Sequence, residues 1–99
     1  MVPGDSAGGG LALALMLRLR DLNLLLPARA ALFSPWTDLA ATGGSMRTNT
    51  RRDAMFEGSG VADSAAWVAD SAAWYVGGAD LRDPLISPCT PTWRSCRRC

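Results

Sequence analysis

Near its start the chain carries Gly4-Asp5-Ser6-Ala7-Gly8-Gly9-Gly10, which runs straight into Leu11-Ala12-Leu13-Ala14-Leu15-Met16-Leu17; no other stretch restricts the available folds as sharply. Gly-x-Ser-x-Gly followed by strong helix formers describes a tight strand-to-helix turn that lifts one serine clear of the backbone. Such a turn strains the serine, so small neighbours are needed on both sides, and Gly4 and Gly8 are expected to provide that room. A helix starting just beyond Ser6 directs unpaired N–H groups and its positive dipole end at the space where an oxyanion would form. Ser6 is therefore the candidate nucleophile, and the N–H of Ala7 the candidate oxyanion-hole donor. In the competing reading, Ser6 is only a side-chain N-cap on a glycine turn. The strand that should precede the turn looks almost absent, because only Met1, Val2 and Pro3 stand before Gly4.

Leucines at 11, 13, 15, 17 and 19 alternate as in a strand. The residues between them (Ala12, Ala14, Met16, Arg18) favour helix, and no β-branched residue occurs from Leu11 to Leu26. A helix from about Gly9 to Leu22 is predicted. Its first half is apolar all round, as suits burial against a sheet, while Arg18, Arg20 and Asp21 place its far end in solvent. Asn23 is suited to end it and Pro27 blocks continuation. Residues 28–34, closed by Pro35, read as a short buried parallel strand. Strand, helix and strand in that order form the core of a βαβ unit.

From Thr37 to Gly60 the chain is polar and punctuated by Gly43-Gly44, Thr48-Asn49-Thr50 and Gly58-Ser59-Gly60, with Arg47, Arg51 and Arg52 offset by Asp53 and Glu57. A surface loop is expected there. Asp38 reads as a turn or helix cap rather than a catalytic acid, and Trp36 as a core residue or a pocket wall near Ser6. Val-Ala-Asp-Ser-Ala-Ala-Trp at 61–67 recurs unchanged at 68–74. A seven-residue duplication adds two helical turns and returns Val61 and Val68, and Trp67 and Trp74, to nearly one face. Ser64 and Ser71 lack flanking glycines and are assigned no chemistry.

Residues 4–12 closely resemble the nucleophile elbow of the hormone-sensitive-lipase-like branch of the α/β-hydrolase superfamily. Leu32-Phe33-Ser34-Pro35-Trp36-Thr37-Asp38-Leu39 is similar to that family's next strand and loop, and Gly77-Gly78-Ala79-Asp80 with Asp83-Pro84-Leu85-Ile86-Ser87-Pro88 to a third segment. Three motifs in family order are far more specific than one. Chymotrypsin-like proteases share the Gly-Asp-Ser triplet, but Ala7 and Gly9 depart from their pattern and a helix follows. The resemblance implies an α/β fold class, here an incomplete α/β-hydrolase fragment: elbow, following helix, one parallel strand and a cap or loop helix. It implies a partial catalytic domain over residues 1–88, acting on small carboxylic esters through an acyl-enzyme on Ser6. The family usually carries one copy of the heptad, so the second is a departure. Substrate-binding residues stay unassigned, and residues 89–99 form an unmatched tail rich in cysteine and arginine.

Size and composition limit the rest. At 99 residues the chain is shorter than a doubly wound hydrolase sheet needs, so a piece of a larger protein is expected. A net charge of +1 suggests no nucleic-acid partner. The apolar run is too short to span a bilayer and lacks a basic lead-in. Cys89, Cys96 and Cys99 make no disulfide framework, and Cys96-x-x-Cys99 lacks the further ligands of a zinc site. No metal and no cofactor are expected, and the cytoplasm is the default location. Histidine is wholly absent. In families of this kind the acid and the histidine come after the matched region and a glycine-rich oxyanion loop before it. The isolated polypeptide is therefore expected to lack measurable esterase activity and to self-associate through exposed apolar surface. The alternative from a different class is a non-catalytic interaction fragment with Ser6 as an N-cap.

Overall fold

The structure, a computed structural model, describes residues 1–44, residue 48 and residues 61–89, leaving aside the side chains of 61–67. Among the described residues four elements follow in order: strand β1 (Val2–Asp5), helix α1 (Ala7–Asp21), strand β2 (Ala30–Phe33) and helix α2 (Val61–Val76). The two strands pair in parallel, with Val2 opposite Ala30, Pro3 opposite Ala31, Gly4 opposite Leu32 and Asp5 opposite Phe33.

The strand before the serine is present, contrary to the sequence expectation, because it uses the motif's own Gly4 and Asp5. Glycine, proline and aspartate are poor strand formers, so propensity hides it and pairing creates it. Pro3 is tolerated because Val2 N–H donates to Arg29 O at 3.0 Å and Ser6 N–H to Phe33 O at 3.0 Å. The even-numbered amides thus face β2, and the residue with no N–H falls on the other side.

Helix α1 starts two residues before the predicted Gly9 and ends at Asp21, one residue before the predicted Leu22. Its C-terminus closes with Asn23 at φ 54, whose N–H donates to Arg20 O (2.9 Å), while Leu24 N–H reaches Leu19 O (2.9 Å). That pair of bonds is a Schellman motif, with asparagine taking the left-handed position usually given to glycine. Burial follows one stripe rather than the whole circumference: Gly9, Gly10, Ala12, Ala14 and Leu17 are buried, but Leu11 and Leu15 are 57% and 45% exposed. The helix is thus buried against the sheet on the stripe of small residues that lets it sit close to the strands, and the rest of its apolar first half is left exposed among the described residues. The predicted buried strand is corrected. β2 is four residues long, Ala31 and Leu32 are half-buried, and Phe33 is 67% exposed.

Beyond β2, Asp38 caps a turn: its Oδ2 accepts from Thr42 N–H (2.7 Å) and from Thr42 Oγ1 (2.8 Å). Leu39, one residue on, is buried, so the expected surface loop begins as part of the core. The charged residues Arg47, Arg51, Arg52, Asp53 and Glu57 lie outside the described residues, as do Cys96 and Cys99. Both heptads fall in the single helix α2, where Ala72 is buried and Trp74 is exposed. Gly77 (φ 56) and Gly78 (φ 90) turn the chain out of it. The turns that follow are braced by aspartates, with Asp80 Oδ1 accepting from Arg82 N–H (2.9 Å) and Asp83 Oδ1 from Leu85 N–H (2.8 Å). An apolar cleft of about 430 Å³ runs between residues 39–41, α2 and residues 78–81. No helix among the described residues is long and apolar enough to cross a membrane.

Candidate active site

Ser6 lies between the last residue of β1 and the first of α1, with φ 51 and ψ −118. Positive φ is costly for a residue with a β-carbon and persists only where surrounding bonds over-determine it. Here both sides of the residue are tied. Its N–H completes the sheet pairing to Phe33 O, and its carbonyl accepts from Gly9 N–H (3.1 Å), Gly10 N–H (3.3 Å) and Trp36 N–H (2.8 Å). The chain must change from strand to helix within one residue, and the strained φ is the result.

The same bonds aim the Ala7 N–H. The Ser6–Ala7 peptide is trans, so its C=O and N–H point in opposite directions in one plane. Anchoring the carbonyl on three donors turns the Ala7 N–H away from the fold. No backbone acceptor among the described residues takes the N–H of Ala7 or Gly8, as expected of the first amides of a helix. Ser6 and Ala7 are both exposed. The hydroxyl makes no cap hydrogen bond, so Ser6 occupies the N-cap position without acting as a side-chain cap. Hydroxyl and free donors share the positive end of α1.

The glycines divide differently from the motif's expectation. A β-carbon on Gly4 would lie 2.5 Å from Gly8 O and 2.7 Å from Gly9 Cα; one on Gly9 would lie 2.7 Å from Pro35 Cβ; one on Gly10 would collide with Trp36 O. Gly8 has nothing within 4 Å among the described residues, so the room comes from Gly4, Gly9 and Gly10 instead. The segment after β2 is thus part of the site. Ser34, the position after Phe33 and so level with Ser6, has φ 42 and begins the bend that lays Pro35 and Trp36 over the glycines. Trp36 reaches the elbow through its backbone, while its ring Nε1 donates to Asp38 O at 3.3 Å, and it does not line the apolar cleft. Sequence reading assigned Pro35 and Trp36 no such part; the one available signal was a glycine run two residues longer than the motif requires.

Asp5 makes no side-chain hydrogen bond to any described residue and is exposed. The Asp38 carboxylate is occupied by Thr42. No group of three or more metal-ligating side chains occurs among the described residues. With no histidine in the sequence, the arrangement offers an exposed serine beside a backbone N–H that no described backbone acceptor takes, but no imidazole to accept a proton.

Known proteins carry the same architecture. An acetyl-hydrolase of Streptomyces hygroscopicus is 42% identical over 85 residues, covering 86% of this chain and 26% of that protein. An esterase of Acinetobacter venetianus is 46% identical over 55 residues, covering 56% of this chain and 18% of its own length. A crystal structure of EstE5 soaked with p-nitrophenyl butyrate superposes with a TM-score of 0.73 at 40% identity, covering 87% of this chain and 26% of that one. A bacterial esterase of the hormone-sensitive lipase family superposes with a TM-score of 0.72 at 41% identity, covering 87% of this chain and 27% of that one. The chain thus spans between about a fifth and about a quarter of the length of these relatives. With the strained serine, the glycine cradle and the parallel strands all in place, and the sequence model of the alpha/beta hydrolase fold matching residues 1–99, the chain belongs to that family, on its hormone-sensitive-lipase-like branch.

Proposed function

We propose that this chain carries the nucleophilic half of a carboxylic ester hydrolase, with Ser6 as nucleophile, the Ala7 N–H as oxyanion donor and a small acyl ester as substrate. The observation that carries the reading is the conformation of Ser6: φ 51 at a strand-to-helix junction, with a hydroxyl bonded to nothing in its own helix cap. A serine recruited only to cap the helix gains nothing from that strain.

In the reaction, Ser6 Oγ attacks the ester carbonyl carbon and gives up its proton to a base. The carbonyl oxygen becomes an oxyanion facing the Ala7 N–H. The C–O bond to the alcohol breaks as the alcohol takes the proton, leaving an acyl group on Ser6. Water then repeats the sequence on that acyl group and releases the carboxylic acid. The resemblance implies a histidine for the base and a carboxylate to orient it. No histidine occurs among the 99 residues, so the base belongs to polypeptide other than this.

Residues 1–88 form the catalytic-domain portion and 89–99 a separate tail, on the reading that the motifs end at Pro88. A net charge of +1 supports no nucleic-acid partner. The three cysteines, confined to the last eleven residues, suit a cytoplasmic setting. Exposed Leu25, Phe33 and Trp74 support self-association.

The test supplies the missing base from solution. The purified chain is incubated with p-nitrophenyl acetate and imidazole, and the peptide containing Ser6 is analysed by mass spectrometry. An acetyl group on Ser6, dependent on imidazole and lost in Ser6→Ala, is the expected result. Acetylation spread over other hydroxyls, or unchanged in the variant, overturns the assignment.

A further inference from the structure

We propose that Ser87 is a positioning residue for the elbow, acting over 81 sequence positions through the strip from Trp36 to Leu39. The inference rests on Ser6 being the nucleophile, but its test does not depend on any reaction at Ser6.

Ser87 is the one described polar residue with no exposure at all, and Pro88 beside it is also fully buried. Burying a hydroxyl is unfavourable unless it is hydrogen-bonded. Ser87 Oγ accepts from the Leu39 N–H at 2.9 Å, and two residues further on Cys89 N–H donates to Thr37 O at 3.0 Å. The segment 87–89 is therefore stitched along Thr37–Leu39 on alternate residues. Its own shape is set locally, with Ile86 N–H and Ser87 N–H both donating to Asp83 O (2.8 and 2.7 Å). The strip it holds is the one that carries Trp36, whose N–H is the shortest of the three bonds to the Ser6 carbonyl. The Trp36 carbonyl and the Pro35 ring stand against Gly10 and Gly9. Elbow, strip and segment 87–89 thus form a continuous hydrogen-bonded stack. Because the Ser6 carbonyl and the Ala7 N–H share one peptide plane, whatever holds Trp36 also sets the direction of the oxyanion donor. Asp83-Pro84-Leu85-Ile86-Ser87-Pro88 accordingly has work to do at the other end of the sequence, where no side chain of its own reaches.

Native-state hydrogen exchange on the full chain tests this. If the stack opens as one unit, the amides of Trp36, Leu39 and Cys89 share one opening free energy and one dependence on low denaturant concentration. The amide of Val2, bonded to Arg29 O at the far end of the sheet, follows a different one. In Ser87→Ala, Leu39 N–H loses a buried acceptor, so exchange at Leu39 and Trp36 accelerates by about tenfold or more while Val2 is unchanged. The Ala7 amide cross-peak shifts in the same variant, and Ser87→Thr, which keeps the oxygen, restores it. Independent exchange of Trp36 and Leu39 in the unmodified chain, no protection at these amides, or an Ala7 signal indifferent to Ser87→Ala overturns the proposal. A Ser6 that never accepts an acyl group leaves all of these readouts in place, so the two readings fail separately.

Discussion

Alanine at Gly4 and at Gly8, the two glycines of Gly-x-Ser-x-Gly, is expected to act in opposite directions. At Gly4 the new β-carbon lands 2.5 Å from Gly8 O, 2.7 Å from Gly9 Cα and 2.8 Å from Gly8 C. All three atoms are backbone in the first turn of α1, so no side-chain rotation relieves them. Reaching an ordinary contact of 3.4 Å requires β1 and α1 to separate by about 0.9 Å, against close packing and the bonds at the Ser6 carbonyl. Overpacking of this kind costs about 1–3 kcal/mol. At Gly8 nothing stands within 4 Å and the residue is already helical, so alanine stabilises by up to about 1 kcal/mol through lower unfolded-state entropy and better helix propensity. Urea unfolding followed by circular dichroism should place the two midpoints about 1 M or more apart, on either side of the unsubstituted chain. Acetylation of Ser6 in the presence of imidazole should fall in Gly4→Ala and persist in Gly8→Ala. Equal midpoints, or a Gly8→Ala chain that loses Ser6 acetylation while staying folded, would refute the claim that the cradle is built from Gly4, Gly9 and Gly10.

Asp38→Ala removes both bonds to Thr42 and should cost about 0.5–1.5 kcal/mol in urea unfolding with imidazole-dependent acetylation of Ser6 intact; a loss of acetylation beyond tenfold would make Asp38 more than a turn cap. Leu25 is 95% exposed, so Leu25→Ser should reduce the sedimentation-averaged mass while changing unfolding free energy by no more than about 0.5 kcal/mol; an unaltered mass would remove Leu25 from the self-association surface.

Parts of the site that depend on local chain chemistry were legible in advance. The turn at Ser6 and the helix start at Ala7 follow from the order of glycine turn and helix formers, and the end of α1 from Asn23, because caps and turns are decided within a few residues. Asp38 as a turn cap was legible for the same reason: a short carboxylate reaches backbone a few positions away. β1 was not legible, since Pro3, Gly4 and Asp5 have no strand preference and become a strand only through β2. Exposed apolar surface was expected, but its place at Leu11, Leu15 and Phe33 was hidden, because apolarity says that a face favours cover and not which face receives it. Gly8 was misread for a related reason: the motif marks both glycines alike, and only the neighbours found in space separate them.

By itself the amino-acid sequence determined where the chain turns, which serine stands at the turn, and that no imidazole accompanies it, because backbone preference and side-chain chemistry are properties of the residues. Tertiary structure decided what holds the turn. Phe33 and Trp36 tie down Ser6 from 27 and 30 positions away, and Ser87 braces Trp36 through Leu39. Hydrogen bonds and hard-sphere contacts act over a few ångströms regardless of separation along the chain, so only the folded path reveals which distant residues hold Ser6 in its strained conformation.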